Sequence, residues 1–170
     1  ASIIFARYFH LIQSSGTGKT RLCYELMITT GSGIYIVYRP ELSTGYPPKT
    51  DLMTTLIELL EKCTTEEQYV SICLYFIAYS VKHFRRVEHT PMSFTQESTV
   101  LDFETALRDD LLKLVPSALR LNVAIQKTDL IIRQYMTGVR LFPIIIDECY
   151  ELLQLPKNKL ESLCMYRALR

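Results

Sequence analysis

Lys19, Thr20, Asp147 and Glu148 are the residues whose types and spacing could do chemistry together in this chain. Lys19 and Thr20 close the run Gln13-Ser14-Ser15-Gly16-Thr17-Gly18-Lys19-Thr20, which fits x-x-x-x-x-Gly-Lys-Thr, the pattern of a phosphate-cradling loop. Gln13 stands where that pattern usually opens with Gly. Gly16 and Gly18 lack Cβ, so the backbone can turn tightly and bring its N–H groups close to a phosphate. A helix starting there adds unpaired N–H donors and the positive end of its dipole. Lys19 is positioned to reach β- and γ-phosphates, and the Thr20 hydroxyl to ligate Mg²⁺. The candidate nucleotide-contacting set is Ser14, Ser15, Gly16, Thr17, Gly18, Lys19, Thr20 and Arg21.

The acidic pair ends the run Leu141-Phe142-Pro143-Ile144-Ile145-Ile146-Asp147-Glu148. A continuous, β-branched apolar run of this length reads as a buried parallel strand. Pro143 is tolerated near its start, where a missing donor costs little. In open α/β sheets ligands lie beyond the carboxyl ends of the strands. Asp147 is therefore expected to face the Mg²⁺ held by Thr20, and Glu148 to polarise the water that attacks the γ-phosphate. Read singly, the first motif is a Ser/Gly turn before a helix. The second, read singly, is a core strand followed by an acidic helix start. Their joint presence in this order is what points to nucleotide binding.

The flanking sequence supplies the elements these residues need. Tyr8 to Ile12 reads as a strand, and Arg21 onward as a helix to about Thr29. Gly31 and Gly33 end that helix and start a second strand, Ile34 to Tyr38, which closes at Arg39-Pro40 because the residue before Pro is pushed out of helical geometry. Residues 41–48 read as a loop on the nucleotide side, with Arg39 near a phosphate and Tyr46 at the rim, although a surface Arg is the plainer reading of Arg39.

A large helical insert is expected over about residues 50–137, between nucleotide-binding segments 1–48 and 138–170. Asp51 caps a first helix with Leu52, Leu56, Leu59 and Leu60 on one face. Thr64 and Glu67 are spaced as a capping box for a second, expected to run to about Arg86 with Lys82, Arg85 and Arg86 at its cationic end. Its most apolar part, Tyr69 to Val81, is shorter than the ~20 residues a membrane span needs and reads as a core helix. Residues 87–99 read as an irregular linker, followed by helices near 101–114 and 117–137 broken at Pro116. Gly138 then releases the Asp-Glu strand. His83 and His89 lack partners at metal-ligand spacing. Gln126-Lys127-Thr128-Asp129 mimics a guanine-reading motif, but it begins with Gln, precedes the Asp-Glu strand and sits in a helical context, so adenine is favoured. Helices are expected again over Cys149 to Leu155 and from Leu160 to Arg170. Arg167 and Arg170 on the latter could supply charge to a transferring phosphate, or simply be surface cations.

Taken together, the two motifs resemble the P-loop NTPases of the additional-strand, catalytic-glutamate division. More narrowly, residues 13–21, Gly45-Tyr46-Pro47-Pro48 and the Asp-Glu strand end look like the NTPase domains of Crinkler-type effectors and related fungal P-loop proteins. The resemblance implies an α/β three-layer sandwich with a short parallel sheet. It also implies a further strand between those ending at Ile12 and Ile146. Only 23 residues follow Asp147 and no such strand is among them, so either the chain is a fragment of a longer effector-like protein, the favoured expectation, or it belongs to the simpler division in which the two strands pair directly. In that family the domain is coupled to a DNA-directed effector domain and the protein acts in a host nucleus.

Composition bounds the rest. One domain is the expectation for 170 residues at 48% hydrophobic content. A net charge of +1 offers no broad basic field, so nucleic acid is expected only through other domains. Five cysteines without a C-x-x-C pair fit a reducing, intracellular setting. The expected function is Mg²⁺-dependent ATP binding and hydrolysis. An ATP-gated switch with negligible turnover is the alternative, and a small-molecule kinase ranks below both.

Overall fold

The computed structural model describes residues 18–31, 33–37, 51–83, 97–139 and 141–147. In chain order these form α1 (Lys19–Thr30), β1 (Ile34–Val37), α2 (Asp51–Glu61), α3 (Glu66–His83), α4 (Glu97–Leu112), a 3-10 turn (Pro116–Ala118), α5 (Leu121–Tyr135) and β2 (Ile144–Asp147). The described part is α/β and mostly helical. Its strands are parallel neighbours, with Ile34 opposite Ile144 and Val37 opposite Asp147. Parallel strands require a crossover connection, and here the α2–α5 region lies within it.

The core is helical. Leu52, Met53, Leu56, Leu59 and Leu60 line the buried stripe of α2, at the spacing of one helical face. On α3 the buried set includes Tyr69, Ile72, Cys73, Phe76 and Tyr79, so this is the central helix, packed on α2, α4 and α5. Its buried Ser71 and Ser80 hydroxyls donate to the carbonyls of Glu67 and Phe76 one turn earlier (2.6 and 2.7 Å), which satisfies them without an outside partner. Leu107 and Leu111 of α4 and Ala124 and Ile131 of α5 complete the cluster. Ile34 belongs to it, and Ile144 and Ile146 pack against it, so the sheet and the helices share one core. Across α3 and α5, the Thr128 hydroxyl donates to the Leu74 carbonyl at 3.3 Å.

Several boundaries differ from the sequence expectation. The cap of α3 is shifted by one residue: Thr65, not Thr64, accepts from the Gln68 N–H (3.3 Å), while the Gln68 amide oxygen accepts from the N–H and hydroxyl of Thr64 (2.8 and 3.1 Å). Gln can fill the third helical position as well as Glu, which is why the spacing alone allowed both registers. α3 is described to His83, and Arg85 and Arg86 lie outside the described residues. α4 begins at Glu97, inside the expected linker. α5 begins at Leu121 because Pro116 starts a separate 3-10 turn, from which the chain extends through Leu119 and Arg120. β2 begins after Pro143, so Leu141 to Pro143 are not strand. The expected strands and helices before Gly18 and after Asp147, and the loop at residues 38–50, lie outside the described residues.

Candidate functional site

The amino end of α1 starts with Gly18 in the left-handed conformation (φ 80°, ψ 19°), a backbone state that glycine adopts at little cost. Gly18 has open space where a Cβ would stand, and its carbonyl accepts the first helical bond, from the Leu22 N–H at 2.9 Å. Among the described residues no side chain caps the helix, and no acidic residue sits in its first turn. Among the described residues, then, the first-turn donors of α1 have neither a capping oxygen nor a local carboxylate, the usual ways of quenching a helix start. At the other end Gly31 (φ 61°) closes the helix, donating its N–H to Ile28 O at 3.2 Å. β1 follows after Gly33 and touches α1. Asp147 is the last residue of β2, in register with Val37 at the carboxyl edge of the pair.

Of the sequence candidates, Gly18, Lys19, Thr20 and Arg21 therefore open α1, and Asp147 closes the neighbouring strand of β1. The Arg21 side chain is 85% exposed and pairs with Glu25 at 3.8 Å, one turn on. Ser14, Ser15, Gly16, Thr17, Glu148, Arg39, Tyr46, Arg167 and Arg170 lie outside the described residues. Among the described residues no group of three or more His, Cys, Asp and Glu side chains could hold a metal. Mg²⁺ bound chiefly by a nucleotide needs no such group, since one or two protein oxygens suffice. Gln126-Lys127-Thr128-Asp129 lies within α5, where Thr128 is buried and Asp129 pairs with Arg133 at 2.7 Å, as helix polarity requires.

A second constellation was not legible in the sequence. Asp110, on α4, accepts from Lys82 Nζ (2.5 Å), lies 2.8 Å from His83 Nε2, and accepts from Lys113 Nζ (2.7 Å). Burial pushes the Asp110 carboxyl up, but the hydrogen bonds from Lys113, Lys82 and His83 outweigh it and hold it well below the usual carboxylate range. Tyr79 is raised, by burial first and by Asp110 second, with Lys82 and Lys113 opposing. In the sequence, Lys82 reads with Arg85 and Arg86 as an ordinary cationic helix end, and His83 lacks partners at metal-ligand spacing. The one local sign was Asp110 three residues before Lys113, a common pairing on any helix surface. Among the described residues, no helix is long and apolar enough to cross a membrane.

Over residues 3–170 the chain matches the family described as Domain of unknown function (DUF8735), and it belongs to that family. No curated protein and no solved structure matches it.

Proposed function

We propose that this member of the DUF8735 family binds Mg²⁺–ATP at the amino end of α1 and hydrolyses its β–γ bond, as a P-loop NTPase of three-layer α/β architecture. The observation that carries the reading is Gly18: a left-handed glycine directly before Lys19-Thr20, opening a helix with no side-chain cap and no first-turn acid. Such a helix start supports the reading, since first-turn N–H groups and the helix dipole favour an anion. In the proposed arrangement the short link through Gly31 and Gly33 returns α1 along β1. Its amino end then lies at the carboxyl edge that Asp147 closes.

In this reading the backbone N–H groups from Ser14 to Thr20 hold the phosphates and Lys19 neutralises charge between the β- and γ-groups. Thr20 and Asp147 would hold the Mg²⁺, which when bound offsets charge developing on the phosphate oxygens. Glu148 accepts a proton from the attacking water. Positioning and charge stabilisation supply most of the rate, because the transferring phosphoryl group needs little covalent help. The resemblance to Crinkler-type NTPase domains adds an effector-like setting to the proposal.

Two measurements test it. Equilibrium binding of labelled ATP should be lost in Lys19→Ala and kept in wild type. Single-turnover phosphate release should fall by about two orders of magnitude in Glu148→Gln. Equal ATP binding by wild type and Lys19→Ala would refute the site. Intact binding with equal release by wild type and Glu148→Gln would leave an ATP-gated switch in place of the hydrolase.

A further inference from the structure

Between α3, α4 and α5 lies a cavity of about 390 Å³ that the nucleotide reading does not use. That volume is within the range of sites for small organic ligands. Lys82, Lys113 and Lys127 all line it, and Asp110 is the carboxylate among the lining residues. Among the described lining residues three ammonium groups stand against one carboxylate, a positive excess, with Asp109 beside Asp110 also acting on Lys113. The single carboxylate is also committed: both its oxygens already accept from Lys82, His83 and Lys113.

Lys82 also lies over the Tyr79 ring, at 5.5 Å, but Lys127 differs from Lys82 and Lys113 in making no bond to Asp110. Its ammonium lies over the rings of Tyr75 and Tyr79, at 5.3 and 5.8 Å from their centroids, and those rings stack on each other at 5.6 Å. A cation held by ring faces has N–H donors that are not consumed by a carboxylate. Ile131 and Leu114 give the cavity an apolar wall, and Tyr135, 44% exposed, stands at its rim.

We propose that this cavity is a binding site for a small organic phosphate monoester, its phosphate held by Lys82, Lys113 and Lys127 and its organic part laid against Ile131, Leu114 and Tyr135. The charge fits the group. A phosphate monoester carries about −1.5 to −2 at neutral pH and presents three acceptor oxygens, which matches the surplus and the three donors. Lys rather than Arg suits a phosphate approached as a point charge from several elements. Asp110 acts as a positioning residue: it ties the end of α3 to the end of α4 and so sets the spacing of Lys82 and Lys113.

The test is calorimetric titration of the whole chain with phenyl phosphate, with phenol and phenyl sulfate as comparisons. Phenyl phosphate should bind saturably, phenyl sulfate more weakly because it is a monoanion, and phenol not at all. Lys127→Gln and Lys113→Gln should each weaken binding about tenfold, the effect of one charge-assisted hydrogen bond. Lys113 is 72% exposed and Lys127 is also exposed, so circular dichroism should be unchanged in both variants. Arg133→Gln, an exposed cation outside the lining, and Lys19→Ala, at the start of α1, should bind as wild type. That last arm separates this cavity from the proposed ATP site. Absence of saturable binding by wild type overturns the proposal. So does a loss in Arg133→Gln or Lys19→Ala as large as that in Lys127→Gln, which would indicate diffuse charge attraction or binding at the α1 loop.

Discussion

Gly33 lies directly against Pro143: a Cβ on Gly33 would stand 2.6 Å from the proline Cγ and 2.8 Å from its carbonyl oxygen. The same carbonyl accepts the Ile34 N–H at 2.9 Å, so the contact is where the two parallel strands are first joined. Gly33 also has φ 125°, which side chains disfavour. Gly33→Ala combines backbone strain with a clash against backbone and should lower stability by about 2–3 kcal/mol. Gly138 has positive φ (79°) with open space around it, so Gly138→Ala should cost only about 1 kcal/mol. Urea unfolding of the two variants separates strain from crowding.

Asp110 makes the fold acid-sensitive. Its folded pKa lies below the unfolded value of ~3.9, so its contribution is complete above that pH and is lost as pH falls through the folded value. Asp110→Asn should be less stable than wild type by about 2 kcal/mol at pH 7. The gap should narrow below about pH 4, where the carboxyl of the unfolded chain takes up a proton while the folded one stays ionised. Denaturant midpoints measured from pH 7 to pH 2 test the direction: a gap that widens on acidification contradicts it.

The start of α3 offers a test of register. Thr65→Ala removes the hydroxyl that accepts from Gln68 N–H and should cost about 1 kcal/mol. Thr64→Ala removes only an exposed hydroxyl bond to the Gln68 side chain and should cost a few tenths. Thermal unfolding of the two variants reads this order, which the capping box expected at Thr64 would reverse.

Cysteine reactivity should follow burial. The Cys63 thiol is pushed up to about 11 by burial and donates to Leu59 O at 3.4 Å; Cys73 is buried and Cys23 only half-buried. The thiolate is the reacting form, and at pH 8 it is roughly one part in a thousand of a group with such a pKa. Among these three, iodoacetamide on the native protein, followed by peptide mass mapping, should label Cys23 first, with Cys63 and Cys73 labelled only on unfolding.

The proposed Mg²⁺ ligation predicts that Asp147→Asn weakens ATP binding at least tenfold in Mg²⁺ and leaves binding in excess EDTA nearly unchanged. Labelled-ATP titrations with and without EDTA check it. A loss of equal size under both conditions would mean that Asp147 acts by holding the strand end.

Much of the local structure was legible from residue order. Gly31 and Gly33 mark the helix-to-strand change because a left-handed cap and a strand entry both favour glycine. The apolar stripe of α2 and the buried middle of α3 follow from periodicity, and Pro116 marks a break wherever it falls. These are contests between neighbours along the chain. Boundaries slipped where the local signal was shared, as between Thr64 and Thr65, or where polar residues such as Glu97 and Ser98 opened a helix without an apolar repeat.

Sequence alone determined that a helix follows the Gly-rich run, that a strand ends at Asp147, and that the middle of α3 belongs inside. Only the folded chain decided that Gly33 meets Pro143, that Val37 faces Asp147, and that Lys82 and His83 reach Asp110 across 28 and 27 positions. Helix and strand signals repeat every few residues, so they survive in a one-dimensional reading. A charge pairing between α3 and α4, or a strand register set across a hundred residues, depends on how the helical core packs, and no local spacing records that distance.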